Sequence, residues 1–354
     1  MRLDRRIRRV LRRAPLVRRI VPKGPVRTPR DHVVILDGTN SSLVAGYETN
    51  AGILFKLLRE TYPAVHLSLH YEAGVQWDSW RQTPNVVSGY GINGRIRRAY
   101  GAIASRYRPG DRIFLFGFSR GAYAVRSLAG ILASVGLLRP EAATESNIRM
   151  VFRHYECSAN PDTVAGFRAR HCHEEVPIEM VGVWDTVKAL GMRVPLLWML
   201  SEGKHKFHDH RLSPLVRHGY HALALDERRM AFAPVLWETP DDHPGHVEQM
   251  WFKGTHGDIG GQLCGLNRAR PLSNIPLLWM LEKAETCGLV LPQGWTKRFE
   301  CDSEAPSVGL NHGWGKLFLA RRARVVARDP SERVHPSTGA VLGGQGGEVT
   351  GAVN

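Results

Sequence analysis

Arg112-Ile113-Phe114-Leu115-Phe116-Gly117-Phe118-Ser119-Arg120-Gly121-Ala122-Tyr123 is the stretch whose reading decides the fold. Ile113 to Phe116 form a continuous apolar run, the mark of a strand buried on both faces, and Gly117 bounds it. Ala122 to Val135 then switches to helical spacing and stops at Gly136. A serine between two glycines at such a junction sits on a tight strand-to-helix turn, which lifts its hydroxyl above the sheet edge. Ser119 is therefore the candidate nucleophile.

Working outward, the same alternation recurs. His32–Leu36 is a β-rich run ending in Asp37-Gly38-Thr39-Asn40, Gly46–Arg59 has helical spacing, and Val65–His70 alternates as a second strand. Ile92–Tyr107 reads as an amphipathic helix stopped by Pro109-Gly110. Further strands are expected at Ile178–Trp184, ending at Asp185, and at Val247–Phe252, ending in Lys253-Gly254-Thr255-His256. A helix from Pro276 to Cys287 follows, with Gly288 as its stop. Strands alternating with helices predict an α/β fold: a mostly parallel sheet with helices on both faces. Between Lys188 and Pro240 the pattern loosens, which reads as a cap or lid insertion at about 188–240, with Val194–Leu200 as its apolar piece. The domain is expected over 31–340, with a basic leader at 1–30 and a glycine-rich flexible tail at 341–354.

A serine hydroxyl needs a base, and the base needs an orienting carboxylate. Asp185 and His256 each follow an expected strand end, giving the order Ser119, Asp185, His256 at the carboxyl ends of parallel strands, where open α/β sheets place their ligands. Asp258 competes for the acid role, but a carboxylate so close in sequence to the histidine suits a loop brace better. The loop Asp37-Gly38-Thr39 and the backbone of Arg120 are expected to supply oxyanion donors and their support. A phosphatase-type D-x-D-G-T loop is excluded, because Ile35 stands where its first aspartate is required.

Gly89–Gly94 matches G-x-G-x-x-G formally, yet lacks the preceding strand and the following acidic residue of a dinucleotide site, so a glycine-rich loop near the active site is expected. His171-Cys172-His173 and His205/His208/His210 lack a second ligand pair at zinc spacing. The chemistry read here needs no metal and no organic cofactor.

The chain has 354 residues, a net charge of +15 and five cysteines without a C-x-x-C pair. Residues 1–30 hold eleven arginines, one lysine and one aspartate, so most of the excess charge belongs to the leader. Its apolar residues recur at helical spacing, which suits contact with an anionic membrane surface. No nucleic-acid module accompanies the charge, and no apolar run approaches the ~20 residues of a membrane span. A signal peptide is not expected either, since no apolar core follows the basic start.

Several blocks together resemble one family: Asp37–Asn40, Gly117–Tyr123 with Arg126 and Gly130, Val181–Val187, His221–Arg229, Trp251–Gly261 and His335-Pro336-Ser337. The chain is similar over roughly 31–340 to the α/β-hydrolase family called domain of unknown function 2235, which includes catalytic domains of type VI secretion phospholipase effectors. Thr255 and Gln262 depart from its usual histidine block. The resemblance implies a Ser-Asp-His triad on Ser119, Asp185 and His256 and an ester hydrolase acting on phospholipid or another lipid ester. The expected location is cytoplasmic or peripheral to a membrane, and export by a specialised machine is compatible with the family. A general esterase for soluble esters, or a non-catalytic interaction module on the same fold, stays open at this point.

Overall fold

The computed structural model describes residues 27–63, 66–74, 90–157, 160–187, 212–240, 242–311, 320–342 and 349–350. Seven strands form one sheet: β1 (Asp31–Leu36), β2 (Leu67–Glu72), β3 (Arg112–Phe118), β4 (Ile178–Trp184), β5 (Val216–Ala224), β6 (His246–Phe252) and β7 (Glu332–Val334). Their order is β2-β1-β3-β4-β5-β6-β7, and every neighbouring pair is parallel. Parallel strands need crossovers, and the helices that provide them cover both faces.

The period of two along each strand distributes the core. Val34, Leu36, Ile113, Leu115, Val181 and Val183 face one layer, packed on the helices α2 (Tyr90–Ala104), α3 (Arg120–Ser134) and α4 (Glu145–Glu156). Val33, Ile35, Phe114, Phe116, Met180 and Ala222 face the other, packed on α1 (Asn50–Thr61) and α7 (Arg270–Thr286). Between α4 and β4 runs α5 (Pro161–His171), and the short helix α6 (His256–Gly260) follows β6. The strands β8 (Val341–Leu342) and β9 (Val349–Thr350) form a separate antiparallel pair.

The α/β reading holds, with three local corrections. The first concerns 188–240: the whole of β5 lies inside the expected insertion, as a central strand between β4 and β6. Arg217, His218, Gly219 and His221 dilute its apolar pattern, although Tyr220 to Ala224 are buried. The expected lid piece Val194–Leu200 and the histidines 205–210 lie outside the described residues. The second concerns the glycine-rich stretch, which is helical from Tyr90 onward and starts α2 instead of forming a loop. The third concerns the expected flexible tail at 341–354, within which Val341–Leu342 and Val349–Thr350 pair as β8 and β9; β7 just before it completes the edge of the main sheet. His171, Cys172 and His173 diverge in their surroundings: His171 packs on Phe167, Cys172 Sγ faces the Val135 carbonyl at 3.7 Å, and His173 meets the ring of Tyr107.

The basic leader lies outside the described residues up to 26, and the first described arginines are engaged with the folded domain. Arg27 donates to both carboxylate oxygens of Asp111 at 2.6 and 2.5 Å, and the Arg30 N–H donates to the same group at 2.8 Å. Among the described residues no helix is long and apolar enough to cross a membrane.

One glycine sets how close α3 comes to β1. A Cβ at Gly121 would stand 1.9 Å from the Leu36 carbonyl oxygen and 2.6 Å from that of Asp37. Backbone atoms cannot yield there, so Gly121→Ala should lower stability by about 1–3 kcal/mol or more. Urea denaturation followed by circular dichroism measures it; an unchanged midpoint would refute this packing.

Candidate active site

Ser119 follows β3 directly and heads α3, with φ 56° and ψ −121°. Only an over-determined surround holds a non-glycine residue in such a sparsely populated conformation. Here its N–H donates to the Trp184 carbonyl at 3.0 Å, its own carbonyl accepts from the Tyr123 N–H, and its side chain is almost fully buried. Asp185, one residue past β4, also has positive φ, 39°, and its N–H donates to the Ala222 carbonyl at 2.7 Å. His256 opens α6 after β6.

Three strand ends therefore converge at one edge of the sheet. His256 Nε2 lies 2.9 Å from Ser119 Oγ, and His256 Nδ1 lies 2.5 Å from Asp185 Oδ2. The imidazole is held between two aromatic rings, Phe118 at 4.9 Å and Phe232 at 4.7 Å between centroids. Its backbone N–H donates to Glu227 Oε2 at 3.1 Å, which fixes the start of α6.

Sequence reading did not find the groups around Asp185. Arg324 grips the carboxylate with both terminal nitrogens, at 2.5 Å to Oδ1 and 2.8 Å to Oδ2, and Oδ1 also accepts the Ala224 N–H at 3.1 Å. Burial alone would raise the pKa of this fully enclosed group, but Arg324 and His256 outweigh it and hold the carboxyl well below the usual range. His221, on the neighbouring strand β5, accepts the Thr186 N–H at Nε2 at 3.1 Å, while Gln249 Oε1 stands 3.4 Å from its Nδ1. Burial, with Arg126 adding to it, pushes the His221 pKa down to about 3, so the ring works as a neutral brace.

The remaining expected site residues divide by what they touch. Asp258 accepts from Thr255 N–H, Thr255 Oγ1, Ser307 Oγ and Val308 N–H at 2.5 to 2.8 Å, so it shapes the loop before His256 and does not reach the imidazole. Asp37 accepts from Thr49 Oγ1 at 2.6 Å, Tyr71 OH at 2.9 Å and Gly38 N–H at 2.7 Å. The Gly38 amide is thus engaged by its neighbour's carboxylate, which corrects its expected part as an oxyanion donor. Thr39 is set beside it by Gln262, whose Nε2 donates to the Thr39 carbonyl at 2.7 Å. Arg120 is the first residue of α3, where a helix leaves its backbone N–H without an intrahelical partner. Burial, with Arg95 nearby, pushes the Arg120 guanidinium down to about 10.

Glu227 and Phe232 were missed for the same reason as β5. The run Ala222-Leu223-Ala224-Leu225-Asp226-Glu227 carries the signature of the other site-bearing strands, a buried apolar run ending in polar residues, and points to Glu227. Arg324 has no such local signal.

The neutral His221 gives a pH prediction. Its folded pKa lies below the 6.5 of the unfolded chain, so the unfolded state binds the extra proton and stability falls as pH drops below 6.5. Between about pH 7 and pH 5 this group alone should remove about 2 kcal/mol. Denaturant titrations at the two pH values measure the loss, and His221→Gln, less stable at neutral pH, should show less of it; an equal decline in both proteins would refute the brace.

The uncharacterized protein YEL023C of Saccharomyces cerevisiae is 26% identical over 61% of this chain, which spans 34% of that protein. A structure of the Tle1 effector bound to the VgrG spike from the type 6 secretion system aligns with a TM-score of 0.38 and 17% identity, covering 67% of this chain and 52% of that one. An uncharacterized protein from Pseudomonas aeruginosa aligns with a TM-score of 0.43 and 15% identity, covering 79% and 50%. The chain spans about a third of the curated relative and about half of each solved structure. The family model described as type VI secretion, phospholipase effector Tle1-like, catalytic domain matches residues 30–283, and the chain belongs to that family.

Proposed function

We propose that the chain is a serine hydrolase of carboxylic esters whose substrate is a phospholipid or related lipid ester. The observation that carries this reading is the buried chain Ser119 Oγ, His256 Nε2, His256 Nδ1, Asp185 Oδ2, with contacts of 2.9 and 2.5 Å. Ser119 Oγ attacks the ester carbonyl carbon while its proton passes to His256 Nε2. The C–O bond then breaks, and the same proton goes to the departing alcohol. Water repeats the sequence on the acyl-enzyme, releasing the acid and restoring Ser119. Asp185 keeps the imidazole in the required tautomer and balances its charge when protonated.

The negative oxygen of the tetrahedral intermediate is assigned to the backbone N–H groups of Arg120 and Thr39. Each such donor is worth about 3–4 kcal/mol in the transition state. Asp37 and Gln262 hold the loop that carries Thr39 through the contacts described above. Membership in a family of phospholipase effector catalytic domains supports a lipid substrate.

Two measurements test this reading. A fluorophosphonate probe should label the wild type and not Ser119→Ala, and only the wild type should release fatty acid from phospholipid vesicles. Equal labelling of both proteins would refute Ser119 as nucleophile, whereas cleavage confined to short soluble esters would leave an esterase and remove lipid.

The leader is proposed to hold the enzyme at an anionic membrane surface, at about 1 kcal/mol per basic residue near the headgroups. Because Arg27 and Arg30 belong to the folded domain, the segment to delete is 1–26. The truncated protein should bind anionic vesicles more weakly and hydrolyse soluble esters as before; undiminished vesicle binding would exclude the leader.

A further inference from the structure

We propose that Arg324 is a positioning residue of the active site, which fixes the rotamer of Asp185 and divides its negative charge between a guanidinium and the imidazole of His256. The inference rests on the triad reading above and adds a fourth member that comes from outside it. Arg324 lies beyond residue 283, where the match to the catalytic family ends. The strands that carry Ser119, Asp185 and His256 do not carry it.

The geometry is that of a built contact. Arg324 is 3% exposed at its side chain, and Asp185 is fully buried. Besides the two bonds to the carboxylate, Nη1 donates to the Ala224 carbonyl at 2.9 Å and Nη2 to the Phe232 carbonyl at 2.7 Å. One guanidinium thus ties Asp185 to the end of β5 and to the turn that supplies a ring packed against His256. Its own segment is held in turn: Arg322 N–H donates to the Arg228 carbonyl at 2.7 Å and Met230 N–H to that of Ala320 at 3.0 Å. Lysine cannot reproduce this fork, since it offers a point charge without two coplanar donors.

The electrostatic consequence follows from the neighbours. Around the imidazole and its carboxylate stand Glu227, paired with Arg229; His221, neutral on β5; Asp258, held by Thr255, Ser307 and Val308; and Arg324. Arg126 approaches His221 from α3, and Arg120 lies beside Ser119. Glu227 is already matched by Arg229. Arg324 is therefore the charge that decides how much of the Asp185 anion the protonated imidazole feels. With Arg324 in place, less of that anion supports the proton on His256, and the base returns it to the leaving alcohol more readily. Without it, an undivided anion would favour the protonated ring and displace the acidic limb of the rate profile upward.

Arg324→Met and Arg324→Lys separate orientation from charge. The assay is kcat and KM on a soluble ester across pH, with fluorophosphonate labelling of each protein and a thermal melt to establish folding. Arg324→Met should lose about 10- to 100-fold in kcat with KM nearly unchanged, as expected for a misplaced catalytic group. Its acidic limb should move to higher pH. Arg324→Lys should keep the limb near its wild-type position while kcat still falls about tenfold, because the charge remains and the fork is lost. A folded Arg324→Met with wild-type kcat and limb would overturn the proposal. If that variant does not fold, Arg324→Lys decides alone: wild-type kcat in it would overturn the positioning role. Absence of probe labelling in the wild type would instead bring down the triad reading, and this proposal with it.

Discussion

A fully buried, charged carboxylate at the end of β4 is the constraint around which this site is organised. A carboxylate taken out of water is costly unless donors and a counter-charge replace the lost hydration. Asp185 receives Arg324 on both oxygens, the Ala224 N–H on one and His256 on the other. Those partners come from β5, from the start of α6 and from the segment before β7. Satisfying one side chain therefore fixes the relative placement of the ends of β4, β5 and β6 and of the C-terminal region.

The parallel sheet makes this convergence available. Because every strand of the main sheet runs the same way, all the loops after the strands gather at one edge, and loops far apart in sequence become neighbours. Ser119 is held by a hydrogen bond to the end of β4, and Asp185 by one to the end of β5. Each positive-φ residue is thus anchored on the next strand of the sheet, which stabilises a backbone that neither would adopt alone.

What the sequence made legible follows from where the information sits. Ser119, Asp185 and His256 were readable because each stands at the end of a strand with a strong apolar run, and the three runs share one pattern. β5 was not, because His218, Gly219 and His221 interrupt its hydrophobic alternation; His221 is polar for a structural reason, the bond to the Thr186 N–H. Arg324 was invisible since its partner is 139 residues away and its neighbours have no periodicity. Local pattern reports elements and their ends. Pairing between remote charged groups depends on topology, which only the folded chain supplies.

Four buried carboxylates stand close to this edge of the sheet, and their hydrogen bonds separate their parts. Asp37 is filled by two hydroxyls and an amide of its own surroundings, and Asp258 by two hydroxyls and two amides. Glu227 is clamped by Arg229 and by the backbone of His256, which fixes the histidine's position but not its ring. Asp185 alone among these has an oxygen on an imidazole nitrogen. It can do so because Arg324 and Ala224 approach from the sides and leave the line to Nδ1 open. Hydrogen-bond capacity is what favours Asp185 over Asp258 in the proposed triad: a carboxylate saturated by its own loop has no lone pair left with which to orient a base.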